Sequence, residues 1–187
     1  MLPWIVVSAW LFGMVAAFWY FEFQPQRGFV APGFAVAGDP QQRELAQRWF
    51  QGLLRVSPAY AGAAQLTVVH VYRDGCVCNR FTDRHVAEIE ARFSHNGVRF
   101  MRIESQSAGA AGLPGWVSSL PAAFVFGADG ELLYFGPYSD AAWCGRSGAR
   151  VESVIERALQ GVPPLPPAKT AWGCFCESNN SGGVEPT

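Results

Sequence analysis

Leu2 to Phe21 is a stretch of 20 residues without a single charged side chain, LPWIVVSAWLFGMVAAFWYF. About 20 apolar residues cross the hydrocarbon core of a bilayer, so this segment cannot simply join a water-soluble core. Trp4 near one end and Trp19-Tyr20 at the other suit the two membrane interfaces. A secretory signal would instead carry a basic leader, a shorter apolar core and a small-x-small cleavage site. No Lys or Arg precedes the run, and Val15-Ala16-Ala17, which could serve for cleavage, is followed by bulky aromatics. Residues 1–23 are therefore read as a retained single-pass anchor, with a cleaved signal as the rival. Either reading puts the rest of the chain in an oxidising, extracytoplasmic space.

The remaining composition excludes several classes. Lys and Arg number 14 against 15 Asp and Glu, for a net charge of -1, which provides no basic footprint for nucleic acid. Lys169 is the only lysine, which argues against Schiff-base chemistry. No Ser/His/Asp set, phosphate-cradling glycine loop or nucleotide fingerprint occurs, so no organic cofactor is expected.

Residues 24–39 are rich in Gly, Pro and Phe and read as a spacer. Asp39-Pro40 is a helix-opening pair, and Leu45, Trp49, Leu53 and Val56 follow at helical spacing, predicting a helix over 40–56. Leu66 to Tyr72 (LTVVHVY) is a buried-strand pattern. Phe81, Val86, Ile89 and Phe93 predict a helix over 79–94, and Val98 to Glu104 a second strand. Residues 105–119 are Ser/Gly/Ala-rich, with room for a short helix. AAFVF and ELLYF flank the turn Gly127-Ala-Asp-Gly130 and predict an antiparallel hairpin. Val151, Val154, Ile155, Ala158 and Leu159 mark a last helix, ended by Gly161. A stiff proline-rich spacer, Pro163 to Pro167, and a cysteine-bearing tail complete the chain over 162–187. The order predicts one α/β domain over 40–161, a mixed sheet covered by helices.

Five cysteines are distributed unevenly: Cys76-Val77-Cys78 follows the first strand, Cys174-Phe175-Cys176 lies in the tail, and Cys144 stands alone in GPYSDAAWCG. With cysteines at a strand-to-helix turn and Pro121 opening the hairpin, VVHVYRDGCVCNRF and SLPAAFVFGADGELLYFG resemble the thioredoxin-like superfamily over about residues 40–160. The chain resembles membrane-anchored bacterial members of it. The resemblance implies a three-layer fold, a cis bond at Pro121, a soluble domain facing the periplasm from the bacterial inner membrane, and a protein thiol or disulfide as partner. This chain departs from the family pattern in having Cys-x-Cys for Cys-x-x-Cys, and His70 where a buried acid assists proton transfer.

On that fold a helix N-terminus would favour the thiolate of Cys76 or Cys78. Cys76, nearer the loop, would attack, and Cys78 would resolve the mixed disulfide. The tail pair has three readings: a relay passing electrons to Cys76 and Cys78, a Cys₄ metal site with them, or a structural disulfide reaching Cys144. Catalytic candidates are thus Cys76, Cys78, Pro121 and His70, with Cys174, Cys176 and Cys144 as relay or structural residues. His70 reads equally as a hydrogen-bonded core residue, His85 as a helix-surface residue and His95 as loop. Arg73 and Asp74, flanking the cysteine loop, read by default as a solvated pair, with thiolate stabilisation by Arg73 as the alternative. Three functions compete: thiol–disulfide exchange, binding or delivery of copper or zinc, and non-catalytic protein interaction.

Overall fold

A computed structural model describes residues 2–23, 26–29, 40–60, 62–106, 112–139, 150–163 and 171–178. α1 (Leu2–Phe23) is the uncharged run. It is long and apolar enough to cross a membrane, and none of its core window is buried against the rest of the chain.

β2 (Leu66–Tyr72) is β-branched and buried along nearly its whole length, as a strand covered on both faces must be. Its side chains alternate. Val69 and Val71 join one apolar cluster, and Leu66 and Val68 join another. α3 (Asn79–Phe93) carries the chain over to β3 (Val98–Glu104), which lies parallel to β2 from Leu66↔Val98 to Tyr72↔Glu104. β5 (Ala122–Gly127) and β6 (Leu132–Gly136) complete a four-stranded mixed sheet in the order β3-β2-β5-β6. Gly130, at φ 83°, closes the hairpin between them in a conformation that favours glycine.

α2 (Pro40–Val56) covers one face of this sheet, with Trp49 and Phe50 against Phe124 and Phe126. α3 and α4 (Arg150–Leu159) cover the other through Val86, Ile89, Val151, Val154 and Ile155. The result is three layers, helix, sheet and helices.

The helix spans agree with the sequence patterns, but two faces are rotated. In α2 the buried residues are Ala46, Trp49, Phe50 and Leu53, while Leu45 and Val56 are exposed. In α3 Phe81 is exposed, and Thr82 and His85 are buried with Val86, Ile89 and Phe93. The sheet-facing stripe is set by the partner surface, and an i, i+4, i+8 reading picked its edge.

Both ends also depart from expectation. The 24–39 spacer contains β1 (Gln26–Phe29), which pairs antiparallel with β7 (Ala171–Cys174) in the tail. Phe29 is buried against Phe135 and Phe175. The 105–119 segment ends in β4 (Ser119–Leu120), and its other described residues, 105–106 and 112–118, hold no helix. β8 (Cys176–Glu177) pairs with β4. The tail over 171–178 is therefore laid onto the domain. The proline run beyond Pro163 and the last nine residues lie outside the described residues.

Leu45 and Leu53 occupy the same helix and differ only in burial. Leu53→Ala is expected to lower unfolding free energy by about 2–5 kcal/mol, and Leu45→Ala by about 0.5 kcal/mol or less. Denaturant titration of the two variants in detergent micelles checks which face of α2 packs.

Candidate functional site

The turn after β2 is built by local backbone bonds. Cys76 N–H donates to Arg73 C=O, Asn79 N–H to Cys76 C=O, and Phe81 and Thr82 N–H to Cys78 C=O. Cys78 is the N-cap of α3 without a side-chain cap bond. The Asn79 amide donates to Arg73 C=O at 2.9 Å and steadies the turn. Gly75, at φ 75°, supplies the left-handed step into the motif.

All four motif cysteines meet here. Cys76 is bonded to Cys176 and Cys78 to Cys174, with Cα separations of 6.1 and 5.2 Å. The two Cys-x-Cys segments run antiparallel, so the chain bridges them twice. Cys78, assigned the resolving role towards Cys76, is instead bonded to Cys174, and of the readings of the tail the bridge to Cys144 is replaced by bonds to the motif itself. Cys144 itself lies outside the described residues. Cys76 and Cys78 are only 5% and 1% exposed, whereas Cys174 and Cys176 are half-buried. The less buried cysteines of the cluster are those of the tail.

The tail strand is held beyond the sulfurs. Leu120 pairs with Cys176 and Ser119 with Glu177. Ser178 N–H donates to Ser118 C=O at 2.9 Å, and its hydroxyl donates to Val117 C=O. Arg73 donates to Glu177 C=O at 2.8 Å, so this arginine grips the tail backbone. The Leu120–Pro121 peptide is cis, as the resemblance implied, and places Pro121 one residue from the Leu120↔Cys176 pair.

His70 does not join the cysteines. It shares the α3/α4 side of β2 with Val68, and its Nδ1 lies 2.9 Å from the Tyr138 hydroxyl. Its Nε2 is buried without a partner. Burial first, and the Arg102 charge second, push its pKa from 6.5 down to about 3. The Tyr138 ring also meets His85 edge-on at 6.0 Å. His85, expected on the surface, is buried, with Nε2 3.3 Å from a Glu152 carboxylate oxygen, close in charge terms but not aligned for a hydrogen bond. His70, Tyr138, His85 and Glu152 thus form a buried polar column under α3. The sequence signal for His85 was its spacing with Thr82, Val86 and Ile89. His95 is exposed, as expected.

A family model described as domain of unknown function DUF6436 matches residues 46–178. The chain belongs to this family. The matched span runs from α2 to the end of the tail strand and contains both Cys-x-Cys pairs. An uncharacterized conserved protein from Geobacillus kaustophilus is similar in structure, with TM-score 0.50 and 15% identity, over 65% of this chain and 80% of that one. A hypothetical protein from Sinorhizobium meliloti 1021 matches at TM-score 0.47 and 12% identity, over 65% and 82%. The Geobacillus likeness concerns the fold alone. No curated protein matches the chain.

A histidine held neutral in the fold takes a proton only on unfolding. The unfolded chain binds that proton below its ordinary pKa of 6.5, and the folded chain only near 3. The sign is therefore loss of stability as pH falls from 6.5 towards 3, at up to about 1.4 kcal/mol per pH unit. Unfolding free energies at pH 7 and 4.5 are expected to differ more for the wild type than for His70→Phe. Equal slopes would show that His70 is not the group responsible.

Proposed function

We propose that the chain is a thioredoxin-like, membrane-anchored thiol–disulfide exchange protein whose domain faces the periplasm and whose exchanging pair is Cys76 and Cys176. The observation that carries this reading is the closing of two Cys-x-Cys segments into one four-sulfur cluster at the N-terminus of α3. A helix N-terminus favours a thiolate. Attack on the half-buried Cys176 sulfur therefore expels Cys76 as the favoured leaving group.

The exchange balances in either direction. In the reduced protein, the Cys76 thiolate attacks a substrate disulfide, forming a Cys76–substrate mixed disulfide and releasing one substrate thiolate. The Cys176 thiolate then attacks the Cys76 sulfur, closing Cys76–Cys176 and releasing the second substrate thiolate. The substrate gains two electrons and the protein loses two. In the oxidising direction a substrate thiolate attacks the Cys176 sulfur and expels the Cys76 thiolate, and the second substrate thiolate then attacks the substrate sulfur of that mixed disulfide, closing the substrate disulfide and releasing the Cys176 thiolate. Cys176 takes the resolving role first assigned to Cys78, and the Cys78–Cys174 pair holds two further electrons.

The anchor bears on where this happens. β1 begins three residues after α1 ends, and Gln26 pairs with Cys174. Three residues span at most about 11 Å. With α1 in a bilayer, the cluster works close to the membrane surface.

A metal reading is supported by a different observation. The sulfurs of Cys76, Cys78 and Cys176 all lie within 4.8 Å of one another, and those of Cys78 and Cys176 are 3.9 Å apart. A tetrahedral zinc tetrathiolate with Zn–S near 2.3 Å places its sulfurs about 3.8 Å apart. The four thiols of the reduced protein would suit zinc or Cu(I).

One set of measurements separates these readings. A small dithiol is expected to open both disulfides in the folded, full-length protein, adding four alkylation labels per chain. Reduced protein is expected to catalyse insulin reduction, Cys76→Ser to fall to the uncatalysed rate, and Cys176→Ser to accumulate a Cys76–substrate mixed disulfide. Disulfides that stay closed until the fold is denatured would favour a non-catalytic interaction domain. One zinc or copper ion per chain retained by the reduced protein, with insulin reduction at the uncatalysed rate, would favour the metal site.

A further inference from the structure

β8 is only two residues long, yet it occupies a defined place. It supplies the antiparallel partner of Ser119 and Leu120 immediately before Pro121, and its cysteine is bonded to Cys76. Most of the interactions there are indifferent to sequence. Ser178 N–H and Arg73 address backbone atoms, and Ser119–Leu120 meets β8 through main-chain pairing. Four tail side chains are engaged: Cys174 and Cys176 in the disulfides, Phe175, which packs edge-on against Phe29 at 5.2 Å, and Ser178, whose hydroxyl donates to Val117 C=O. Backbone pairing gives affinity to an added strand, and the flanking side chains give selectivity. Any extended polypeptide with a cysteine after a large apolar residue could meet the same edge in the same register.

Resting on the exchange reading above, we propose that the tail is an intramolecular occupant of the substrate edge. Residues 174–178 sit where an extended, cysteine-bearing protein segment docks on β4. Substrate and tail then compete for one place. When a dithiol donor breaks Cys76–Cys176, two electrons and two protons produce two thiols, and residues 176–178 can leave the edge while Cys78–Cys174 still tethers the tail. A substrate segment pairs with Ser119–Leu120, which aligns its disulfide with the Cys76 sulfur, and the mixed disulfide forms. The returning tail does two things in one motion. Its backbone retakes the edge, and its Cys176 thiolate attacks Cys76 and expels the substrate thiolate. Oxidised protein is thereby closed to substrate.

The accounting favours the tail once exchange is complete. A tethered segment acts at an effective concentration in the millimolar range, so a substrate present at about 10 μM competes at a disadvantage of roughly a hundredfold. The tail therefore clears product without a separate release step.

The test uses the full-length chain in detergent micelles. The probe is a synthetic peptide of residues 171–178 carrying Cys174→Ser, its cysteine capped as a disulfide with 5-thio-2-nitrobenzoate, whose release is coloured. Reduced Cys174→Ser/Cys176→Ser protein is expected to release the dye about tenfold faster, or more, from this peptide than from a scrambled peptide of the same composition. The peptide is expected on Cys76 by mass spectrometry, and oxidised wild type is expected to capture neither peptide. Equal rates from both peptides would overturn the shared edge while leaving exchange at Cys76 intact. No reaction with either would remove the exchange reading, and this proposal with it. Hydrogen exchange on the unsubstituted protein supplies a second arm. On reduction, amides in 118–120 and 176–178 are expected to lose protection together while β2 and β5 keep theirs. Protection that survives reduction would mean that the tail does not leave, and would overturn the proposal.

Discussion

Two disulfides between antiparallel Cys-x-Cys segments hold the periphery of this molecule together. They join positions 100 and 96 residues apart. In the chain-entropy account, closing a loop of about 100 residues restricts the unfolded chain by about 4.7 kcal/mol. That gain is made once. With either bridge in place, the other closes only the small ring formed by the two short segments and adds little loop-closure entropy. One bond is enough to keep the tail, and the other can open at modest cost to the fold. β7 and β8, four and two residues long, are too short to persist as independent strands. β1 in turn has β7 as its strand partner. The strand after α1, the tail and the β4 edge thus share one covalent anchor.

The sheet does not share that dependence. β2, β5 and β6 are buried between α2 on one face and α3 and α4 on the other, with β3 half-buried at the edge. Their packing brings Cys76 and Cys78 to the head of α3 and presents Ser119–Leu120 beside them. The cluster can therefore change its bonds while the scaffold that places it keeps its own core.

Elements with strong local periodicity were legible in the sequence. β2, α3, β3, the hairpin around Gly127–Gly130 and α4 each declare themselves through β-branched runs, helical stripes or turn glycines. What stayed hidden depends on distant partners. β1 and β7 pair across about 145 residues, and four residues such as QRGF carry no periodicity that reports a partner. The register of the α2 stripe is set by Phe124 and Phe126, so Phe50 rather than Leu45 faces the sheet. Cysteine spacing alone does not give connectivity, which left the tail open between a relay, a metal site and a bridge to Cys144. Once β8 is seen against β4, the Cys76–Cys176 and Cys78–Cys174 pairing follows from two antiparallel segments of equal spacing.

His70 shows how burial can reassign a residue whose position in the chain suggests chemistry. It stands on the strand that leads into the motif, where a proton acceptor would be useful. A base is effective when its pKa lies near the working pH, and an imidazole held at about 3 stays neutral and binds a proton weakly throughout the neutral range. Its Nδ1 contact with Tyr138 ties β2 to the segment after β6, and the Tyr138 ring rests on His85, which faces Glu152 on α4. These contacts fasten the sheet to both helices of the α3/α4 layer. For the exchange proposed above, proton traffic would then fall to the sulfurs themselves rather than to His70. The less buried cysteines of the cluster are those of the tail, the segment proposed above to move.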